Sequence, residues 1–128
     1  MNLEGKKIIV NKSVSELVEM LKTPQDYKNL MPSSLSKFES TENGFKFSLT
    51  GMPEIALNID EVNNEKVVLK SANPSLDFAL TGTMNALNEN QTEVQLLFDG
   101  KFNPFIKMMV EKPLQNFINS LTENIEKL

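Results

Sequence analysis

The C-terminal stretch from Asn103 to Leu128 constrains the fold more than any other part of the chain. Apolar residues recur there at spacings of three and four, which predicts one long helix that buries one face. Pro104 stands at the first helical position, where proline is tolerated because the first N–H groups of a helix have no partner within it. A helix of this length needs a broad apolar surface to pack against, so the rest of the chain has to supply one.

A second proline lies inside this predicted helix, at Pro113. Proline in a helix interior removes one hydrogen bond and clashes with the carbonyl four residues earlier, here that of Met109. We therefore expect a kink, with the second half packed flat on the core. The first half then presents Phe105, Met108 and Met109 to a cavity mouth or to a partner chain. The alternative is a helix that breaks at Lys112 into two.

The region between Phe38 and Phe102 predicts five or six antiparallel strands. Apolar and polar residues alternate in each run, so each strand has one buried and one wet face. Asn43-Gly44 is the strongest hairpin signal, because both residue types tolerate positive φ. Glycines inside strands mark bends or close approaches, and three of them indicate a sheet that curls around the helix: Gly51, Gly82 and Gly100.

The N-terminal part predicts one strand from Leu3 to Val10, followed by two short helices. Either Asn11 or Ser13 begins the first helix, and Ser13-Val14-Ser15-Glu16 fits a capping box. Thr23-Pro24 ends this helix, because the residue before proline avoids helical geometry. The second helix runs from Pro24 to about Met31.

Composition excludes several function classes. The chain has 128 residues, 17 acidic and 13 basic, which fits a single domain, 1–128, and argues against nucleic acid or an anionic membrane as partner. Histidine and cysteine are absent, so a Ser-His-Asp triad, a cysteine nucleophile and the common zinc sites are excluded. We expect no metal and no cofactor. Without an apolar signal core or a membrane-length segment, we expect a cytoplasmic protein with no stable membrane insertion.

A strand, two helices, about six antiparallel strands and a long C-terminal helix occur in this order in the helix-grip fold. The chain resembles the START-like (SRPBCC) superfamily, which includes birch-pollen allergens, polyketide cyclases and lipid-transfer domains. Three segments carry the resemblance: Ile8-Ile9-Val10-Asn11 with the helix start after it, Asn103-Pro104-Phe105, and Pro113-Leu114-Gln115-Asn116-Phe117, which is similar to small uncharacterised bacterial members. The resemblance implies an α+β fold with six to seven curved antiparallel strands around the helix, and a cavity for a hydrophobic ligand. It carries over no catalytic residue.

The inward-facing residues are nearly all apolar, which suits a ligand pocket and suits a filled core equally well. Methionine adapts to irregular space and to varied ligands, although it also fills ordinary gaps. The candidate ligand-binding residues are the bulky inward residues of the strands and four positions of strand and helix that could line the same space: Phe47, Leu57, Leu69, Phe78, Leu80, Met84, Phe98, Met108, Met109 and Phe117.

Polar candidates are few. Alternation directs the carboxylates of the strands to the wet face, away from any cavity: Asp60, Asp77 and Asp99. Ser40 and Ser71 are candidate polar anchors for a ligand, with a hydroxyl bonded to backbone as the ordinary alternative. Tyr27 is expected at the core edge with its hydroxyl in water.

These patterns favour a protein that binds an apolar small molecule or a lipid between the sheet and the C-terminal helix. Two alternatives stay open: a metal-free enzyme of the cyclase or aromatase kind, and a protein with little cavity that forms a homodimer through exposed apolar surface. An enzyme needs an inward-facing ionisable group, and alternation supplies none that is convincing.

Overall fold

The computed structural model describes residues 1–50 and 52–128; the inward position predicted for Gly51 lies outside these ranges. The elements follow in the order β1 (Asn2–Glu4), β2 (Ile8–Val10), α1 (Val14–Leu21), a 3₁₀ helix (Pro24–Leu30), β3 (Leu35–Ser40), β4 (Gly44–Leu49), β5 (Ile55–Val62), β6 (Lys66–Ser71), β7 (Asp77–Asn88), β8 (Gln91–Lys101) and α2 (Pro104–Glu126). The predicted α+β fold is confirmed.

The strands form one curved, open antiparallel sheet in the order β1-β8-β7-β6-β5-β4-β3, with β2 also paired to β8. β3 to β8 are consecutive neighbours, as expected when each strand turns directly into the next. The carboxylates predicted on the wet face are all exposed: Asp60, Asp77 and Asp99. The other face is covered by the helices.

The N-terminal segment is two strands rather than the single strand predicted. β1 and β2 both pair with β8, and the residues from Gly5 to Lys7 separate them. A Cβ at Gly5 would lie 2.7 Å from Thr122 Oγ1 and 3.2 Å from a side-chain carbon of Ile118, both on α2. The long helix therefore crosses close over this break, which only a residue without a side chain permits.

α1 begins as a capping box, and Ser13 is its N-cap. The Ser13 hydroxyl accepts a hydrogen bond from the Glu16 N–H at 3.1 Å, and the Glu16 carboxylate accepts one from the Ser13 N–H at 3.3 Å. Of the two predicted starting residues, Ser13 is thus correct and Asn11 is not. The short second helix has 3₁₀ geometry and begins at Pro24, as predicted.

The β3–β4 hairpin turns at Glu42-Asn43, one residue earlier than predicted. The Thr41 N–H donates to the Gly44 carbonyl at 2.8 Å, so Gly44 already belongs to β4. Its role is close approach, because a Cβ there would overlap the Leu57 carbonyl of β5. The glycine is required by the neighbouring strand and not by the turn.

α2 is continuous from Pro104 to Glu126, so a break at Lys112 is wrong; the kink at Pro113 stays a prediction. Asn103 caps the helix by accepting the Ile106 N–H at 2.9 Å. Beyond the proline the helix buries Leu114, Phe117, Ile118, Leu121 and Thr122. Before it, the largest apolar side chains face solvent: Phe105 is 72% exposed, Met108 83% and Met109 63%.

Within residues 1–50 and 52–128, the buried apolar side chains form two clusters. The large cluster joins the inner face of the sheet to α2 and to the 3₁₀ helix. A row of aromatic rings runs through it, with centroids 4.7 Å apart for Tyr27–Phe45, 5.9 Å for Phe45–Phe47 and 5.2 Å for Phe47–Phe117. The small cluster lies under α1 and comprises Ile8, Val10, Leu17, Val18, Met84 and Val94.

Candidate functional site

A cavity lies between the inner face of the sheet, α1, the 3₁₀ helix and the C-terminal half of α2. Strands β4 to β8 supply one wall, and the three helices supply the other. Its lining residues are Leu17, Met20, Leu21, Tyr27, Leu30, Met31, Phe45, Leu57, Val67, Leu69, Leu80, Gly82, Met84, Val94, Leu96, Phe117, Leu121, Ile125 and Leu128.

The space inside is small. Its volume is about 60 Å³. An apolar cavity that holds benzene is larger, at roughly 150 Å³. A single aromatic ring or a short alkyl chain therefore needs wall side chains to move slightly aside, and a complete lipid acyl chain needs much larger movement.

Among the residues that the structure describes, those that line the cavity are apolar except for the phenol of Tyr27. Tyr27 is 4% exposed, and its hydroxyl donates to the Leu21 carbonyl at 2.7 Å. The expectation of a hydroxyl in water is therefore wrong, because the turn between α1 and the 3₁₀ helix brings a carbonyl to the phenol. Burial raises the pKa of Tyr27 above its ordinary value of 10.0. The group is thus a neutral donor with its proton already engaged.

The sequence matches no protein-family model and no curated protein. Solved structures, in contrast, resemble the chain over nearly its whole length. The KanY protein is 12% identical with a TM-score of 0.77, covering 99% of this chain and 95% of its own. A norcoclaurine synthase of Thalictrum flavum, in complex with a transition-state analogue, is 14% identical with a TM-score of 0.71, covering 99% and 92%.

A third structure decides the fold. A START superfamily protein from Mycobacterium smegmatis is 10% identical with a TM-score of 0.67, covering 98% of this chain and 94% of its own. The chain has the START-like fold. At this identity the likeness establishes architecture, which confirms the resemblance inferred from the order of the elements.

Half of the predicted ligand-binding residues line the cavity: Leu57, Leu69, Leu80, Met84 and Phe117. Phe47 is fully buried beside them and stacks on Phe117. Phe78 and Phe98 stack on each other at 5.3 Å in a separate group with Phe102. Met108 and Met109 lie outside the lining as well, because they occupy the solvent side of α2.

The predicted polar anchors also lie elsewhere. Ser40 is exposed, and the Ser71 hydroxyl donates to the Asn73 carbonyl at 3.2 Å in the β6–β7 turn. Ser40 pairs with Phe45 and Ser71 with Leu57, so both serines lie on the inward face of the sheet, as predicted. They stand at strand ends, beyond the residues that line the cavity. Within the described ranges, no helix has the length and hydropathy needed to cross a membrane.

Several lining residues did not appear among the predicted ligand-binding residues. Most come from the helices or the residues directly after them: Leu17, Met20, Leu21, Tyr27, Leu30, Met31, Leu121, Ile125 and Leu128. Their helical spacing marks them as inward-facing, and that signal was available in the sequence. Which inward residues border empty space depends on how the helices sit on the sheet.

Proposed function

We propose that the protein binds a compact apolar small molecule in the cavity between the sheet and the helices. The observation that carries the proposal is an apolar space between sheet and helices, in which the hydroxyl of the lining residue Tyr27 is held in a hydrogen bond with the Leu21 carbonyl. Pockets of this kind favour ligands through burial of apolar area. The three methionines in the wall, Met20, Met31 and Met84, add adaptability because unbranched thioethers change shape easily.

The size of the space narrows the ligand class. A volume of about 60 Å³ favours a short alkyl chain or, when the wall methionines move aside, one aromatic ring. A similar structure, the norcoclaurine synthase, is described in complex with dopamine and hydroxybenzaldehyde, both single-ring aromatics. A lipid would need wall side chains to move aside along most of its length.

Binding is a better account of the cavity than acid–base catalysis. Among the described lining residues, the ionisable side chain is Tyr27, whose raised pKa keeps it protonated at neutral pH. Its proton is held by the Leu21 carbonyl, so it is poorly placed to serve a substrate. The carboxylates of the strands, Asp60, Asp77 and Asp99, face solvent on the other side of the sheet.

Calorimetric titration with a series of straight-chain alcohols from butanol to octanol tests the proposal. Each added methylene contributes about 0.8 kcal/mol when buried, which corresponds to an increase in affinity of roughly fourfold. We expect this increase to stop within the series, because the longer chains exceed the small space between sheet and helices. Absence of saturable binding across the series would overturn the proposal.

A matched pair of variants locates the binding. Leu80→Phe adds volume inside the cavity, whereas Leu97→Phe makes the same change on the opposite face of the neighbouring strand, at a half-buried position. We expect Leu80→Phe to lower the affinity for hexanol at least tenfold, and Leu97→Phe to leave it within twofold. Near-ultraviolet circular dichroism verifies that both variants are folded. Equal effects of the two changes would place the alcohol elsewhere.

A further inference from the structure

The walls of the cavity differ in exposure. Most of the described lining residues are buried, and four are half-exposed: Met20, Leu21, Ile125 and Leu128. We call these four the entrance residues. Two of them end α1 and two lie at or after the end of α2, so the part of the wall that reaches solvent is formed by these two helix ends.

The entrance residues also lie along the boundary between the two core clusters. Each of the four packs against both clusters. The cavity takes its walls from both as well, with Leu17, Met84 and Val94 from the small cluster. A boundary closed by half-exposed side chains loses few buried contacts when it opens, so local opening there is cheaper than elsewhere in the core.

The ends of α1 and α2, which form the two sides of this boundary, differ in the contacts that hold them in place. α2 is tied to the end of the 3₁₀ helix by Asn124, whose amide donates to the Leu30 carbonyl at 3.0 Å and to the Met31 carbonyl at 3.1 Å. α2 is also long and anchored by its buried face. It is therefore the fixed side.

α1 is the weaker side. It has eight residues, too few for a stable helix without tertiary support, and it buries only Leu17 and Val18. At its end, the Val18 and Met20 carbonyls accept N–H groups from the two residues that follow the helix, and the Leu21 carbonyl accepts the Tyr27 hydroxyl. The Tyr27 ring is in turn held by stacking on Phe45. The Tyr27–Leu21 bond is thus the side-chain tie between the end of α1 and a rigid aromatic group.

We infer that α1 is a lid: ligands enter between Leu21 and Leu128 when the end of α1 moves outward, and the Tyr27–Leu21 hydrogen bond keeps it closed. The lid proposal rests on the proposed binding function. It adds the route by which the ligand enters and names Tyr27 as the residue that controls the rate of entry. Breaking the bond raises the fraction of time in which the lid is open, so ligand entry and ligand release both accelerate.

Exchange of fluorobenzene, followed by ¹⁹F NMR, tests the lid in Tyr27→Phe. We expect the association and dissociation rates both to rise roughly two- to twelvefold, the factor equivalent to a net hydrogen bond of about 0.5–1.5 kcal/mol. The matched control is Thr122→Val, which removes another buried hydroxyl, bonded to the Ile118 carbonyl within α2. Exchange in this control should stay within twofold of wild type.

The route is tested separately by single thiols, since the chain has no cysteine. A bulky maleimide attached to Leu21→Cys should slow fluorobenzene entry at least tenfold. The same reagent on Leu87→Cys, an exposed leucine of β7 outside the cavity lining, should not. Equal exchange in the two labelled proteins, or Tyr27→Phe rates equal to those of Thr122→Val, overturns the lid. Absence of fluorobenzene binding by the wild-type protein overturns the binding function itself.

Discussion

Tyr27 is the residue at which local and tertiary effects meet. Its ring continues the aromatic row of the core, and its hydroxyl holds the carbonyl at the end of α1. A buried phenol without a partner would destabilise the fold, because the lost hydration is not replaced. The bond to Leu21 therefore allows the side chain to be buried and at the same time gives α1 its fixed end.

The raised pKa of Tyr27 leads to a prediction about stability at high pH. The unfolded chain loses the phenolic proton above about pH 10, while the folded protein keeps it. The contribution of Tyr27 to stability is thus complete below pH 10, and above it the free energy of unfolding falls by about 1.4 kcal/mol per pH unit until the folded group also ionises. Urea denaturation between pH 8 and 11.5 measures this, and Tyr27→Phe should lack that part of the slope. Parallel pH profiles for the two proteins would contradict the prediction.

The elements differ in what supports them. α2 combines an N-cap, a long buried face and a tie to the 3₁₀ helix. α1 has a capping box but little buried surface. Pro113 is the exception within α2, since its missing N–H leaves the Met109 carbonyl without its helical partner. The helix nevertheless continues, so packing of its second half outweighs the local loss.

Replacing this proline should stabilise the helix. Pro113→Ala restores the hydrogen bond to the Met109 carbonyl, and we expect the free energy of unfolding to rise by about 1–3 kcal/mol. The midpoint of urea denaturation reports the change, with an unchanged m-value. Pro74→Ala, in the exposed β6–β7 turn, is the control and should give no gain. A less stable Pro113→Ala would mean that contacts of the proline ring matter more than the hydrogen bond.

At the scale of the whole molecule, the solvent-exposed face of the first half of α2 is an apolar surface to which neither proposal gives a role. Phe105, Met108 and Met109 are exposed there, opposite the face that the later part of the helix buries. They were predicted to lie at a cavity mouth or against a partner chain, and they lie outside the cavity lining. Formation of a homodimer through them stays a prediction.

Replacing both methionines with lysine tests whether they contribute to self-association or to packing of the core. Because Met108 and Met109 are exposed, we expect Met108→Lys/Met109→Lys to change the free energy of unfolding by less than about 0.5 kcal/mol. If the chain forms dimers through this face, sedimentation velocity should show them weakened in the variant. Ile9→Lys, at another exposed apolar residue, is the control and should leave self-association unchanged. A loss above 1 kcal/mol would mean that the methionines pack internally.

The sequence by itself determined the elements and their order. Helical spacing after Asn103, the capping box at Ser13 and the alternation in the strands are local patterns, and local backbone and burial preferences are enough to interpret them. The order of those elements was then sufficient for the START-like fold, and alternation correctly assigned Asp60, Asp77 and Asp99 to solvent.

Only the tertiary structure decided what depends on distances between elements. The division of the N-terminal strand at Gly5 follows from the close crossing of α2. The need for glycine at position 44 follows from the approach of β5. The partner of the Tyr27 hydroxyl and the space beside Leu80 depend likewise on how helices rest on the sheet. A pattern states which way a side chain points, whereas a cavity is the volume left after all of them are placed, and no single segment contains that information.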